Sequence, residues 1–143
     1  MSTAYEDDVV AWAAEQVTML RAGQWEMLDI EHIAEEIEDM NISHRHQLAH
    51  RMAILMAHML KWKYQPNRRG TSWLNTMRTQ REAIAKLFKK MPSLRKLLED
   101  GEWDEQVWLD AVEIAGREAN LVDLPGGREW PFELVLQAGY FPS

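Results

Sequence analysis

The chain has 143 residues, of which 46% are hydrophobic and 27% are charged, as in an ordinary globular protein of one domain. It contains no cysteine, which excludes disulfides, thiolate nucleophiles and Cys-ligated zinc or iron–sulfur centres. The start shows no signal-peptide pattern, and no apolar run approaches the roughly 20 residues of a membrane span, so we expect a cytoplasmic protein without a membrane partner.

The net charge of −7 hides a segregation of charge along the chain. Residues 1–40 carry −10, residues 41–96 carry +12 and residues 97–143 carry −9. A basic middle part between acidic flanks is typical either of an anion-binding surface or of acidic helices that pack against basic ones. We favour the packing interpretation, because an acidic protein attracts phosphate only weakly at long range.

The first predicted helix covers about residues 4–22. Thr3 and Glu6 have the spacing of a capping box, and Gly23 supplies the stop. Between them the apolar residues recur at helical spacing, at Tyr5, Val9, Trp12, Ala13, Val17 and Leu20.

The second predicted helix is long. Asp29 has the position of an N-cap, and the apolar residues that follow it keep one helical phase as far as Trp62. The phase continues across Ser43, where a bend is conceivable. We therefore predict one helix from about 29 to 64, with two helices placed end to end as the alternative.

An elbow separates this helix from the next. Pro66 and Gly70 bracket it, and Thr71 or Ser72 is the predicted cap of a helix over about 72–91. The C-terminal part predicts shorter helices.

Turn residues separate these shorter helices. One covers 94–99 and stops at Gly101, a second covers 104–120 with Asp104 as its cap, and Pro131 opens the last. No strand-like alternation of useful length occurs. The sequence thus predicts an all-α fold, a single-domain helical bundle over 1–143 with one long helix and short C-terminal helices. The predicted core consists of Trp12, Leu20, Ile33, Ile37, Leu55, Met59, Trp62, Trp73, Ile84, Phe88, Trp108 and Val112.

Several segments resemble family 29 of the bacterial domains of unknown function. They are "YEDDVVAWAAEQVTMLRAGQWEMLDIEHIAEEIEDM", "LMAHMLKWKYQP", "TSW" and "MPSL", and the resemblance runs from about Tyr5 to Pro131. It implies a compact helical fold and a bacterial cytoplasmic origin, and it implies no activity. The residues that match the family pattern are Glu35, Glu36, Glu38, His58, Lys61, Trp62, Pro66, Ser72, Trp73 and Arg81.

Four histidine or carboxylate side chains are candidates for a metal site. His46 and His50 stand four residues apart, as two ligands on one helix face would. However, they point away from the apolar stripe and have no third ligand nearby. His58 lies at the edge of the core, where a hydrogen-bonded core histidine is the simpler interpretation, and Glu36 is about 33 Å from it along an uninterrupted helix. We therefore expect no cofactor and no functional metal.

The carboxylates Glu35, Glu36 and Glu38 favour a structural interpretation. Di-metal helical bundles use Glu-x-x-His motifs, and this chain has none. Arg81 falls within the apolar stripe of its helix, where a guanidinium would be expected to find a carboxylate. We predict an ion pair between Arg81 and Glu36 or one of its two neighbours.

The elbow "LKWKYQPNRRGTSW", residues 60–73, carries Lys61, Lys63, Arg68 and Arg69 among aromatic residues. These cations precede a helix N-terminus, where free N–H groups favour an anion. The two tryptophans of the segment fall on core-facing positions, so stacking on bases is disfavoured. We favour a structural elbow, with small-anion contact as the alternative, and we expect no nucleic-acid partner.

Three functions of different classes remain open. The leading one is a non-enzymatic interaction module that self-associates or binds a protein partner through helices rich in methionine and tryptophan. The second is a metal-dependent enzyme with a carboxylate and histidine site. The third is a phosphate or nucleic-acid binder that uses the elbow.

Overall fold

The computed structural model describes residues 3–143, and every regular element in this range is helical, which confirms the all-α prediction. Within the described range, no helix has both the length and the apolar character needed to cross a membrane. The α-helices are α1 (Val9–Arg21), α2 (Ile30–Tyr64), α3 (Thr71–Lys90), α4 (Gly101–Ala119) and α5 (Phe132–Val135), with 3-10 helices at Trp25–Met27, Pro66–Arg68 and Pro92–Glu99.

The chain forms two compact units. The N-terminal unit ends at Ser43, and the C-terminal unit is His44–Ser143. Helix α2 contributes residues to both units. The prediction of a single domain over 1–143 stays a prediction.

Helix α1 begins later than predicted. The Asp8 Oδ1 atom accepts the N–H groups of Val10 and Ala11, both at 3.1 Å, so Asp8 is the N-cap. The capping box of Thr3 and Glu6 was wrong, because the Thr3 hydroxyl donates to Glu15 at 2.9 Å instead. The Thr3 backbone N–H also donates to Glu15, at 2.7 Å, and these two hydrogen bonds from Thr3 hold the pKa of Glu15 below its usual value.

The end of α1 is as predicted. Gly23 follows the helix with φ of 73°, a left-handed conformation that glycine adopts without steric cost.

Helix α2 runs without a break from Ile30 to Tyr64, which confirms the single long helix. The predicted cap is also correct, because Asp29 Oδ1 accepts the N–H of His32 at 3.4 Å and the Asp29 carbonyl accepts that of Ile33 at 3.0 Å. Residues around Ser43 are helical, so the alternative of two helices is excluded.

The caps of α3 and α4 differ from the predictions. Gly70 is the N-cap residue of α3, and Thr71 lies inside its first turn, so neither Thr71 nor Ser72 is the cap. Helix α4 starts at Gly101 because Asp100 Oδ1 accepts the N–H groups of Glu102 and Trp103 at 3.0 and 3.3 Å. The predicted cap at Asp104 was therefore wrong.

The remaining short helices also differ in detail. The segment predicted as a helix over 94–99 is the 3-10 helix Pro92–Glu99. Pro131 occupies the N-cap position of α5 rather than its first turn.

The hydrophobic core lies in the C-terminal unit. Trp108 is central to it, with its indole N–H donating to the Pro125 carbonyl at 2.8 Å and its ring edge-to-face with Trp130 at 6.0 Å. Among the predicted core residues of this unit, Trp62, Trp73 and Val112 are only half-buried. Leu55, Met59, Ile84, Phe88 and Trp108 are buried, which confirms the prediction for these five.

Candidate interaction surface and predicted site residues

The N-terminal unit exposes most of its large apolar side chains. Of its described residues, only Trp12 and Gln16 are buried. Leu20 and Ile37 were predicted in the core, yet they are 40% and 57% exposed. The exposed large apolar residues of this unit, which we call the apolar surface, are Val9, Val10, Val17, Leu20, Trp25, Met27, Ile30, Ile37, Met40 and Ile42.

Much of this surface is organised by helix geometry. At about 100° per residue, the four apolar-surface residues of α1 fall within an arc of about 100°. On α2, Ile30, Ile37 and Met40 fall within an arc of about 80°. The helical pattern therefore predicted the shared faces except for Val10, and it was wrong in placing Leu20 and Ile37 in the core.

A hydrogen-bonded cluster around Asp29 holds the N-terminal unit together. Asp29 Oδ2 accepts the Trp12 indole N–H at 3.0 Å and lies 2.7 Å from His32 Nδ1. The buried Gln16 accepts the Asp29 backbone N–H at 2.9 Å. The hydrogen bond between the side chains of Asp29 and His32 lowers the pKa of Asp29 and raises the pKa of His32.

Tyr5 closes this cluster. Its ring stacks on His32 at 4.1 Å and meets Trp12 edge-to-face at 4.9 Å. Its hydroxyl donates to Glu36, a hydrogen bond that raises the pKa of Tyr5 to about 12. From the sequence, Asp29 was predicted as a cap only, and the role of His32 was not predicted. The Asp-x-x-His spacing, which places both side chains on one helix face, was the available signal.

The other carboxylates of the predicted ion pair face solvent. Glu35 and Glu38 are exposed and line a shallow depression of about 420 Å³ with His32. Across residues 3–143, no three histidine, aspartate or glutamate side chains come together as a metal site. The metal-dependent enzyme thus gains no supporting geometry here.

The three candidate histidines lie in the C-terminal unit. His46 and His50 are exposed, as predicted, and line a depression of about 340 Å³ opposite Asp110 and Glu113 of α4. His58 is half-buried, and its Nδ1 lies 2.8 Å from the Ile54 carbonyl. Burial lowers the pKa of His58.

The lysines of the elbow are paired with carboxylates. Lys61 is buried and bonds to Glu118 on α4, and Lys63 bonds to Glu129. The hydrogen bond from Lys61 lowers the pKa of Glu118, and that to Glu129 raises the pKa of Lys63. Tyr64 also donates to Glu129, which raises the pKa of its phenol.

The arginines of the elbow make local contacts. Arg69 donates through Nε to the Trp62 carbonyl at 2.6 Å and lies over the Trp62 ring at 5.0 Å, while Arg68 donates to Gln65 at 3.2 Å. These contacts agree with a structural elbow. Anion binding by Lys61, Lys63, Arg68 and Arg69 stays a prediction without a supporting contact.

Arg81 is buried and finds polar partners inside the C-terminal unit. Its Nε donates to the Val135 carbonyl at 2.8 Å, and its guanidinium lies 5.9 Å from the Phe141 ring centre. Burial lowers the pKa of Arg81. Glu36, for its part, has Tyr5 as a partner in the N-terminal unit. The ion pair between Arg81 and Glu36, Glu35 or Glu38 stays a prediction.

The helices and these two units define, at this point, a helical protein of open function. Comparison with protein families gives a match to the model described as "Domain of unknown function DUF29" over residues 4–141, nearly the whole chain. The chain therefore belongs to this family, which confirms the resemblance. No curated protein and no solved structure gives a significant match.

Proposed function

We propose that this protein is a non-enzymatic interaction module that binds a second copy of itself through the apolar surface of its N-terminal unit. The observation that carries the proposal is the concentration of exposed apolar residues in that unit. Ten of the fourteen large hydrophobic side chains that are exposed in the described part of the chain lie there.

The size of the apolar surface matches a specific interface. With exposures between 40% and 77%, these side chains present apolar area on the order of 1,000 Å², against about 800 Å² per partner in a standard protein interface. Most of these side chains share one face of α1 or of α2, and exposed apolar area of this kind typically marks a site of association. Large flexible side chains such as Met27 and Met40 are suited to such a contact.

Charge complementarity favours a second copy as the partner. Residues 1–43, which carry the apolar surface, contain eleven acidic residues and one arginine, whereas residues 44–96 contain thirteen lysines and arginines and the single carboxylate Glu82. A second copy therefore offers a basic segment that the acidic unit would attract and orient. In a closed dimer of this kind both copies would make the same contact.

The experiment is to measure molar mass in solution by light scattering coupled to size exclusion, from about 5 to 200 μM. The natural chain should be dimeric and Ile37→Asp should be monomeric, because a carboxylate would be buried without a partner in the contact. Val122→Asp is the matched control, since Val122 is 78% exposed and lies outside the apolar surface. A monomeric natural chain over the whole range would refute the proposal.

Salt separates the apolar and electrostatic parts of the contact. Raised ionic strength should weaken the dimer through screening of the acidic and basic segments without abolishing it. The bacterial and cytoplasmic origin implied by the family resemblance is part of the same proposal.

A further inference from the structure

A cavity of about 590 Å³ lies in the C-terminal unit between α3 and the residues that follow α5. Its wall is mainly apolar and includes Leu74, Ala85, Leu136 and Phe141. Its volume is within the range of small-molecule binding sites in proteins. None of its residues belongs to the apolar surface.

One charged side chain in the wall is buried. Arg81 is only 6% exposed and lines the cavity. Of its five N–H donors, one bonds to the Val135 carbonyl at 2.8 Å and another makes a long contact of 3.9 Å to the Met59 sulfur. No carboxylate of the C-terminal unit forms an ion pair with it. The Arg81 guanidinium therefore keeps N–H donors and a positive charge available beside an apolar cavity.

We propose that this cavity binds a small organic carboxylic acid with an apolar tail, its carboxylate on Arg81 and its tail against Leu74, Leu136 and Phe141. The planar guanidinium fork matches a carboxylate in geometry, and a charge-assisted hydrogen bond is strongest away from water. The exposed Arg78 at the cavity rim adds a second cation.

The carboxylate of Glu82 in the cavity wall favours a ligand with a single negative charge. Glu82 lines the same cavity and is exposed, so it repels an incoming anion, and it repels a dianionic phosphate more strongly than a monoanionic carboxylate. The ligand class is therefore an aliphatic or aromatic monocarboxylic acid.

The test is isothermal titration calorimetry of the full chain with sodium octanoate and sodium phenylpropanoate. Octanamide is the matched neutral probe, because it keeps the tail of octanoate and removes the charge. We expect at least one acid to bind, and octanamide to bind about tenfold more weakly than octanoate or not at all, since about tenfold corresponds to one charge-assisted hydrogen bond.

Two variants locate the binding. Arg81→Lys keeps the charge and removes the fork, so the affinity for the acid should fall about tenfold, whereas Arg117→Lys, at an exposed position on α4, should leave it unchanged. Ala85 lines the cavity from an exposed helical position, so Ala85→Phe places a ring in the cavity and should abolish binding. This variant tests the proposal independently if Arg81→Lys does not fold.

Three results would overturn the proposal. They are equal affinity for the acid and the amide, no heat with either acid at millimolar concentration, and unchanged affinity in Ala85→Phe. Binding only of peptides that end in a free carboxylate would also overturn it, since it would assign the site to a protein partner.

Discussion

Removing the carboxylate of Glu118 should destabilise the protein more than removing the ammonium group of Lys61. The Lys61 side chain is 5% exposed and the Glu118 side chain is 46% exposed, so the two partners differ in how far water can replace a lost contact. Glu118→Gln leaves an ammonium group buried with a neutral partner. Lys61→Met leaves a carboxylate that water reaches, and it places an apolar chain of similar length in the core.

The magnitudes follow from this asymmetry. Breaking a fully buried ion pair costs about 3–5 kcal/mol, and the half-exposed Glu118 reduces the expected loss for Glu118→Gln to about 2 kcal/mol. Lys61→Met removes the desolvation cost of the buried ammonium group and leaves a carboxylate that is 46% exposed to water, so it should change the free energy of unfolding by less than about 1 kcal/mol. That variant also loses the contact of the ammonium group with the Trp73 ring at 5.9 Å.

The assay is urea denaturation of both single variants and of the double variant, followed by circular dichroism. In the Lys61→Met background, Glu118→Gln should lower the free energy of unfolding by less than about 0.5 kcal/mol, because the ammonium group that paired with the Glu118 carboxylate is absent. Glu113→Gln is the control on the same helix, with a side chain that is 74% exposed. If Glu118→Gln lowers the free energy of unfolding no more than this control does, the reasoning is refuted. Lys61 would then again be a candidate for anion binding.

Two further predictions concern His32 and the predicted ion pair of Glu36 with Arg81. The raised pKa of His32 means that its bond to Asp29 contributes stability fully below the ordinary histidine value of 6.5 and loses it as pH rises through the higher folded pKa. His32→Gln should remove this pH dependence from urea midpoints, and an NMR titration of His32 with an unshifted pKa would contradict it. For the predicted ion pair, Glu36→Gln and Arg81→Met should be non-additive by more than about 0.5 kcal/mol if the pair forms. Additive losses would leave Tyr5 and the Val135 carbonyl as the partners.

The sequence was most informative where one physical rule acted alone. The uninterrupted phase of apolar residues from Ile30 onward predicted the full length of α2, because helical periodicity is a local property. The start of α4 was not predictable in the same way. Asp100 and Asp104 are both good N-caps, and the glycine at position 101 was interpreted as a stop although it lies at the first helical position.

The candidate site residues show the same division. The contact of Asp29 with His32 spans one helical turn and could be expected from spacing alone. The contacts of Lys61 with Glu118 and of Tyr5 with Glu36 join residues 57 and 31 positions apart, and they depend on which helices pack together. Periodicity specifies the apolar face of a helix, but it does not specify whether the same chain or a second molecule covers that face.

The apolar surface also has a consequence for how the family can change over generations. A side chain exposed on an isolated molecule and buried in a complex is under selection for the complex, so homologues should keep large apolar residues at the positions of Ile30, Ile37 and Met40. Val122 is at least as exposed, but it lies outside that surface and should drift freely to polar residues. An alignment would then record, in its pattern of substitutions, an assembly that a single chain does not display.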